Sequence, residues 1–165
     1  MILDMTHLAD ESFWEAAELF DGPLASRNNC RTLVPGDRQF DDDQIRFLIG
    51  RGGVIGTVLD IWMLAPGWSS ANASQFNITL DAVIDHIDHI CQLAGGTANV
   101  GIGSDLDGGY GKEQSPADLD SIADVQKIAP LLRGRACSDS DVAAILSGNW
   151  LRFLERAWSK NRADA

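Results

Sequence analysis

The chain has 165 residues, 45% of them apolar, with 13 lysines and arginines against 24 acids, a formal net charge of −11 and a pI near 4.4. That size supports one core, so residues 1–165 are expected to form a single unit, and the acidity argues against nucleic acid and anionic membrane surfaces as partners. No stretch approaches the roughly 20 apolar residues of a membrane span, and the amino terminus lacks the pattern of a signal peptide. Cys30, Cys91 and Cys137 are odd in number, scattered and without a CxxC pair. They predict neither a disulfide framework nor a cysteine metal site, and a reducing cytoplasm fits best.

Met1–Met5, apolar apart from Asp4, predicts a first strand running into Thr6 and His7. Phe13, Ala16, Ala17 and Phe20 follow at helical spacing, opened by Asp10 and Glu11 and halted by Gly22 and Pro23. Pro23–Ala25 predicts a second strand that gives way to Ser26, Arg27, Asn28 and Asn29. Asp41 and Gln44 have the spacing of a capping box, ahead of the apolar stripe of Ile45, Leu48 and Ile49, which Gly50, Gly52 and Gly53 end. Gly53–Leu59 predicts a third strand ending at Asp60.

Thr79 is the expected cap of a third helix, with Leu80, Val83, Ile84, Ile87, Ile90 and Ala94 on one face and Gly95 and Gly96 at its end. His86 and His89 lie on that helix, three residues apart, a spacing that can serve a metal. On the helical wheel His86 falls at the rim of the apolar face and His89 on the polar side, which favours a structural or solvated role for both.

Val100–Gly109, VGIGSDLDGG, reads as a buried strand delivering Asp105 and Asp107 into a glycine-rich loop. Parallel α/β proteins place chemistry at such strand ends, although a tight turn whose aspartates cap a helix has the same pattern. Ser115 before Pro116 predicts a further helix start carrying Leu119, Ile122 and Ala123, Ser138 with Asp141 another, and Trp150–Trp158 a last amphipathic piece. Strand and helix thus alternate four times, which argues for parallel βαβ units. Four units are half of an eight-stranded barrel; an open four-stranded doubly wound sheet is the alternative. His7, directly after the first strand, sits where a barrel presents side chains to its active-site mouth.

The runs LDMTHLADESFW, GPLASRNNCRTLVPGDRQFDDDQIR, GGVIG, LDAVIDHIDHICQLAG, VGIGSDLDGG and GNWLRFL, in this order, resemble the carboxyl-terminal half of the membrane (renal) dipeptidase family. The resemblance implies an α/β fold, half of a (βα)8 TIM-type barrel with about four parallel βα units plus terminal helices. It implies a metallopeptidase that hydrolyses dipeptides with two zinc ions, held by a His-x-Asp motif, a bridging glutamate and two later histidines. His7 matches the first of those later histidines as a metal ligand. The second belongs in a motif resembling ASHSNCR, where this chain reads Ala25, Ser26, Arg27, Asn28, Asn29, Cys30, Arg31. Arg27 therefore stands where the ligand is expected, and a guanidinium has no lone pair to give a metal.

By the same resemblance Arg38 matches the arginine that grips the free carboxylate of the substrate, and Asp105 the aspartate that faces the scissile bond and assists proton transfer. The His-x-Asp motif and the bridging glutamate have no counterpart here. One ligand of five does not hold a catalytic zinc, so the chain alone is expected to be inactive. Two readings follow: part of a dipeptidase, completed by an amino-terminal half-barrel partner, or a noncatalytic remnant that persists as an oligomerisation or binding module. An incomplete barrel leaves strand edges open, so self-association is expected under both.

Overall fold

The computed structural model describes residues 1–163, with side chains described through Ser159. Strands β1 (Leu3–Asp4) and β2 (Pro23–Leu24) pair in parallel, as do β3 (Ile55–Val58) and β4 (Val100–Ser104). A parallel bridge between Ala25 and Ile55 joins the two pairs, with Ala25 N donating to Val54 O at 3.0 Å and Gly56 N to Ala25 O at 2.8 Å. Strand order therefore follows chain order and has no reversal, whereas a doubly wound sheet reverses at a switch point. The connections carry α1 (Asp10–Leu19), α2 (Asp42–Gly50) and α3 (Asp81–Ala94). After β4 come α4 (Ile128–Gly134), α5 (Asp139–Ala143), a π-helical turn over Ala144–Gly148 and α6 (Asn149–Ala163). Among the described residues no helix is long and apolar enough to cross a membrane.

The predicted stripes face one core. Phe13 of α1, Ile45 and Leu48 of α2 and Leu80, Val83, Ile84, Ile87 and Ile90 of the third helix segment are all buried in a single cluster with Ile55 and Val100 of the sheet. Phe13 sits edge-on to Phe40 at 5.2 Å and to Phe47 at 5.8 Å between ring centroids, which locks α1 against α2. A smaller cluster of Leu24, Val54 and Phe153 docks α6 under the sheet. The close approach of β2, β3 and β4 depends on glycine. A Cβ on Gly56 would lie 2.1 Å from Ser26 O, and one on Gly103 2.2 Å from the same oxygen.

Both predicted capping boxes are present: Asp41 with Gln44 at α2, and Ser138 with Asp141 at α5. Gly95, at φ 66°, ends α3 in the left-handed conformation that glycine adopts without strain. Three expectations fail. Thr79 does not cap α3; the carboxylate of Asp118 accepts from Leu80 N at 2.9 Å instead. Ser115–Pro116 opens no helix, because Lys112 Nζ gathers the carbonyls of Pro116, Ala117 and Leu119 at 3.1, 3.0 and 2.8 Å and so holds that backbone in a loop. Ile122 is exposed there, in a 3-10 segment capped by Ser121 and Asp124. Finally, His86 is not at a rim but fully inside, accepting from Cys30 N through Nδ1 at 3.0 Å.

Candidate functional site at the strand ends

The polar residues that end β1, β2 and β4 meet on one side of the sheet. Asp4 Oδ1 accepts from Thr6 N at 3.0 Å and from Ser26 N at 3.1 Å, and Thr6 Oγ1 accepts from Arg27 N at 3.3 Å. These bonds lace the exit of β1 to the exit of β2. Burial works against the charge of Asp4, yet the hydrogen bonds from Ser26 and Thr6 outweigh it and hold its carboxyl below the usual range. Among the described residues, three of the four non-glycine positions with positive φ are here: His7 at 72°, Ser104 at 47° and Asp105 at 65°. Each costs on the order of 1 kcal/mol, and such strain concentrates where side-chain placement matters.

Arg27 is central to the cluster. Its Nη2 lies 3.1 Å from His7 Nε2 and its Nε 3.1 Å from Asp105 Oδ1. A guanidinium only donates, so Nε2 of His7 accepts and its lone pair is engaged. The Arg27–Asp105 contact is an ion pair without hydrogen-bond alignment, since Arg27 Nε and Asp105 Oδ1 are buried and have no hydrogen-bond partner. Arg38 Nη2 donates to Arg27 O at 3.2 Å, while its Nη1 is buried with no such partner. Desolvation, then the charges of Arg38 and Arg27, lowers the pKa of His7. Burial lowers that of Arg38, with Asp105 opposing and Arg27 adding to the shift. A guanidinium so placed stays charged at neutral pH.

The structure thus brings His7, Arg27, Arg38 and Asp105 together, and leaves Asp107 exposed. In the sequence Asp60 does no more than end a strand. Asp60 is 4% exposed, accepts Gln114 Nε2 on both oxygens at 2.8 Å and Trp62 N at 3.2 Å, and has its pKa raised, chiefly by burial. Beneath the site, Asn29 Nδ2 donates to Val58 O at 3.2 Å and Met63 O at 3.3 Å, while its Oδ1 accepts from Val58 N at 3.0 Å. Asn28 Oδ1 accepts from Asn29 N and Phe40 N at 2.9 and 3.2 Å. A sequence signal for these existed only in their position, polar residues straight after an apolar strand.

A metal does not fit this set. The imidazole of His7 is already an acceptor for Arg27, the permanent charge of Arg27 beside it repels Zn²⁺, and among the described residues no group of three or more His, Cys, Asp or Glu side chains could hold a metal. The histidines of α3 are engaged elsewhere, His86 with Cys30 N and His89 Nε2 with Asp42 Oδ1 at 2.8 Å.

Parallel strands in chain order, with polar and ionisable side chains gathered at their carboxyl ends, define an α/β protein of the kind that builds enzyme sites from strand-end loops. The chain belongs to the membrane dipeptidase family, peptidase family M19, which it matches over residues 1–164, a family of zinc metallopeptidases. It is 28% identical over 162 residues to the "Uncharacterized protein in pqqA 5'region" of Klebsiella pneumoniae, covering 97% of this chain and 56% of that protein. To Dipeptidase 3 of Macaca fascicularis it is 24% identical over 160 residues, covering 95% and 30%. Among solved structures, a Rhodobacter sphaeroides metallo peptidase liganded with a phosphinate mimic of the dipeptide L-Ala-D-Ala superposes with a TM-score of 0.82 at 24% identity, over 94% of this chain and 42% of that one. The probable dipeptidase PvdM of Pseudomonas aeruginosa gives 0.79 at 20%, over 93% and 49%. These likenesses show a shared fold, and the chain spans between about a third and a little over half of the length of the proteins it matches.

Proposed function

We propose that this chain is the carboxyl-terminal, substrate-holding half of a dipeptidase-type (βα)8 hydrolase and that on its own it neither binds zinc nor cleaves dipeptides. In this reading Arg38 pairs through its fork with the free carboxylate of a dipeptide, and Asp105 receives the substrate amine or moves a proton at the scissile bond. An amino-terminal half-barrel, or a second copy of the chain, completes the cylinder. The observation that carries the reading is the contact of Arg27 Nη2 with His7 Nε2 at 3.1 Å, which puts a fixed cation on the remaining candidate ligand.

The test is zinc analysis of the purified chain together with dipeptide hydrolysis in added zinc. Less than about a tenth of an equivalent of metal and no turnover are expected from the loss of ligands; two equivalents, or clear turnover, overturn the reading. The same Arg27 favours a second reading, a noncatalytic remnant. Co-expression with a matching amino-terminal half separates the two: activity that appears only with Arg27→His marks a decayed enzyme, whereas activity with Arg27 in place marks a working half.

A further inference from the structure

A polar cavity lies at the end of the sheet opposite the strand-end cluster, and it does not depend on the dipeptidase reading. It encloses about 250 Å³ between the end of α2, the entrances of β3 and β4, and α6; Gly52, Asn99, Asn149, Arg152 and Arg156 supply its polar wall. We propose that this cavity is a binding site for a phosphate group, gripped by Arg152 and Arg156.

Of the other arginines with described side chains all but Arg38 have a carboxylate partner, and Arg38 belongs to the strand-end cluster, where it donates to Arg27 O. In a chain of net charge −11, Arg27, Arg31, Arg46, Arg51, Arg133 and Arg135 each have a carboxylate within 4 Å. Among the described residues Arg152 and Arg156 have none. They stand one turn apart on α6, a spacing at which like charges destabilise a helix. Both are nevertheless built into place. Arg152 Nη2 donates to Ala98 O at 2.6 Å and to Asn149 Oδ1 at 2.9 Å, and Asn149 is itself fixed by Nδ2 donating to Thr97 O and Val100 O at 2.6 and 2.7 Å. Arg156 Nη2 donates to Gly52 O, and its guanidinium lies 5.7 Å from the Phe153 ring centroid.

The seat for Arg156 exists because residue 52 is glycine: a Cβ there would lie 2.7 Å from Nη1 and 2.9 Å from Nη2, and φ is +67°. Among the described residues each guanidinium is held through Nη2 alone, Arg152 by Ala98 O and Asn149 Oδ1 and Arg156 by Gly52 O, so Nε and Nη1 of both cavity-lining arginines have no protein partner. Two forks and a double positive charge match the charge and oxygens of a phosphate better than a single carboxylate. The volume admits inorganic phosphate or the end of a small phosphomonoester.

The experiment is calorimetric titration of the full chain with inorganic phosphate, with glycerol phosphate and with acetate as separate arms. One saturable site is expected for phosphate, at least tenfold weaker for acetate, and the glycerol phosphate arm shows whether a monoester is preferred over the free ion. Arg152→Gln and Arg156→Gln should each weaken phosphate binding at least tenfold, and Gly52→Ala should do so by displacing Arg156. Arg38→Gln should leave it unchanged, which separates this cavity from the strand-end site. Circular dichroism of each variant confirms that it folds. Absence of a saturable site, equal binding of acetate, or undiminished binding by the folded Arg152→Gln/Arg156→Gln double variant overturns the proposal.

Discussion

His86 gives the clearest consequence of a single buried group. Burial drops its pKa to about 4 from the ordinary imidazole value of 6.5, and its Nδ1 must stay unprotonated to accept from Cys30 N. Between those values the unfolded chain binds a proton that the folded chain refuses, so stability falls as pH drops from about 6.5 to about 4. The shift corresponds to about 3 kcal/mol at most, read as the urea midpoint against pH. His86→Gln, with no titrating imidazole, should flatten that dependence; a profile as steep as wild type would assign it to other groups. Asn29 is a second test at this scale. It satisfies Val58 N and Val58 O beneath the site and shares Met63 O with Gln39 Nε2, so Asn29→Ala strands two buried backbone groups and is expected to lower stability by about 2–3 kcal/mol in urea unfolding.

Among the elements, local devices and long-range contacts can be tested separately. Ser138 caps α5 and accepts from Asp141 N at 3.2 Å, so Ser138→Ala should cost about 1 kcal/mol in thermal or urea unfolding. Gly56→Ala should do far more, because the new methyl meets Ser26 O at 2.1 Å in the packed strand interior; the cooperative unfolding transition is expected to disappear. This contrast also explains what was legible in the sequence. The capping boxes at Asp41 and Ser138, the glycine stop of α3 and the apolar stripes lie within a few residues of chain, and pattern alone reveals them. The loop after Ser115 was misread because Lys112 and Asp118 act through contacts that a cap signature does not show. His86 was misplaced because its partner, Cys30, is 56 residues away. At the site, motif resemblance singles out His7, Arg27, Arg38 and Asp105, but the grip of Arg27 on both His7 and Asp105 comes from three strand ends meeting in space. Asp60 is legible only as a strand end for the same reason, its partner Gln114 being 54 residues distant.

At the scale of the whole molecule, a short stack of parallel strands must deal with its edges. The carbonyls of Asn99, just before β4, and of Gly101 within it face β3, where Ile55 N and Thr57 Oγ1 donate to them at 2.8 and 3.2 Å. The alternate carbonyls, Val100 O and Ile102 O, therefore face away from the sheet. They are covered by α6: Asn149 Nδ2 reaches Val100 O at 2.7 Å and Trp150 Nε1 reaches Ile102 O at 3.1 Å. Gly101 lets the indole lie against the strand, since a Cβ there would come within 2.5 Å of Nε1. Removing this cover should turn β4 into a template for another chain. Trp150→Phe keeps an apolar ring over the edge but frees the carbonyl, and Trp150→Ala removes both. Sedimentation velocity over a concentration series should then show association rising from wild type through Trp150→Phe to Trp150→Ala. The net charge of −11 opposes chain–chain contact, and screening within a Debye length of about 10 Å at 0.1 M salt weakens that opposition, so added salt should strengthen association in the same order. If both variants sediment like wild type at every concentration and salt level, the outer edge of β4 is not where chains meet, and the side of β1 turned away from β2 becomes the place to look.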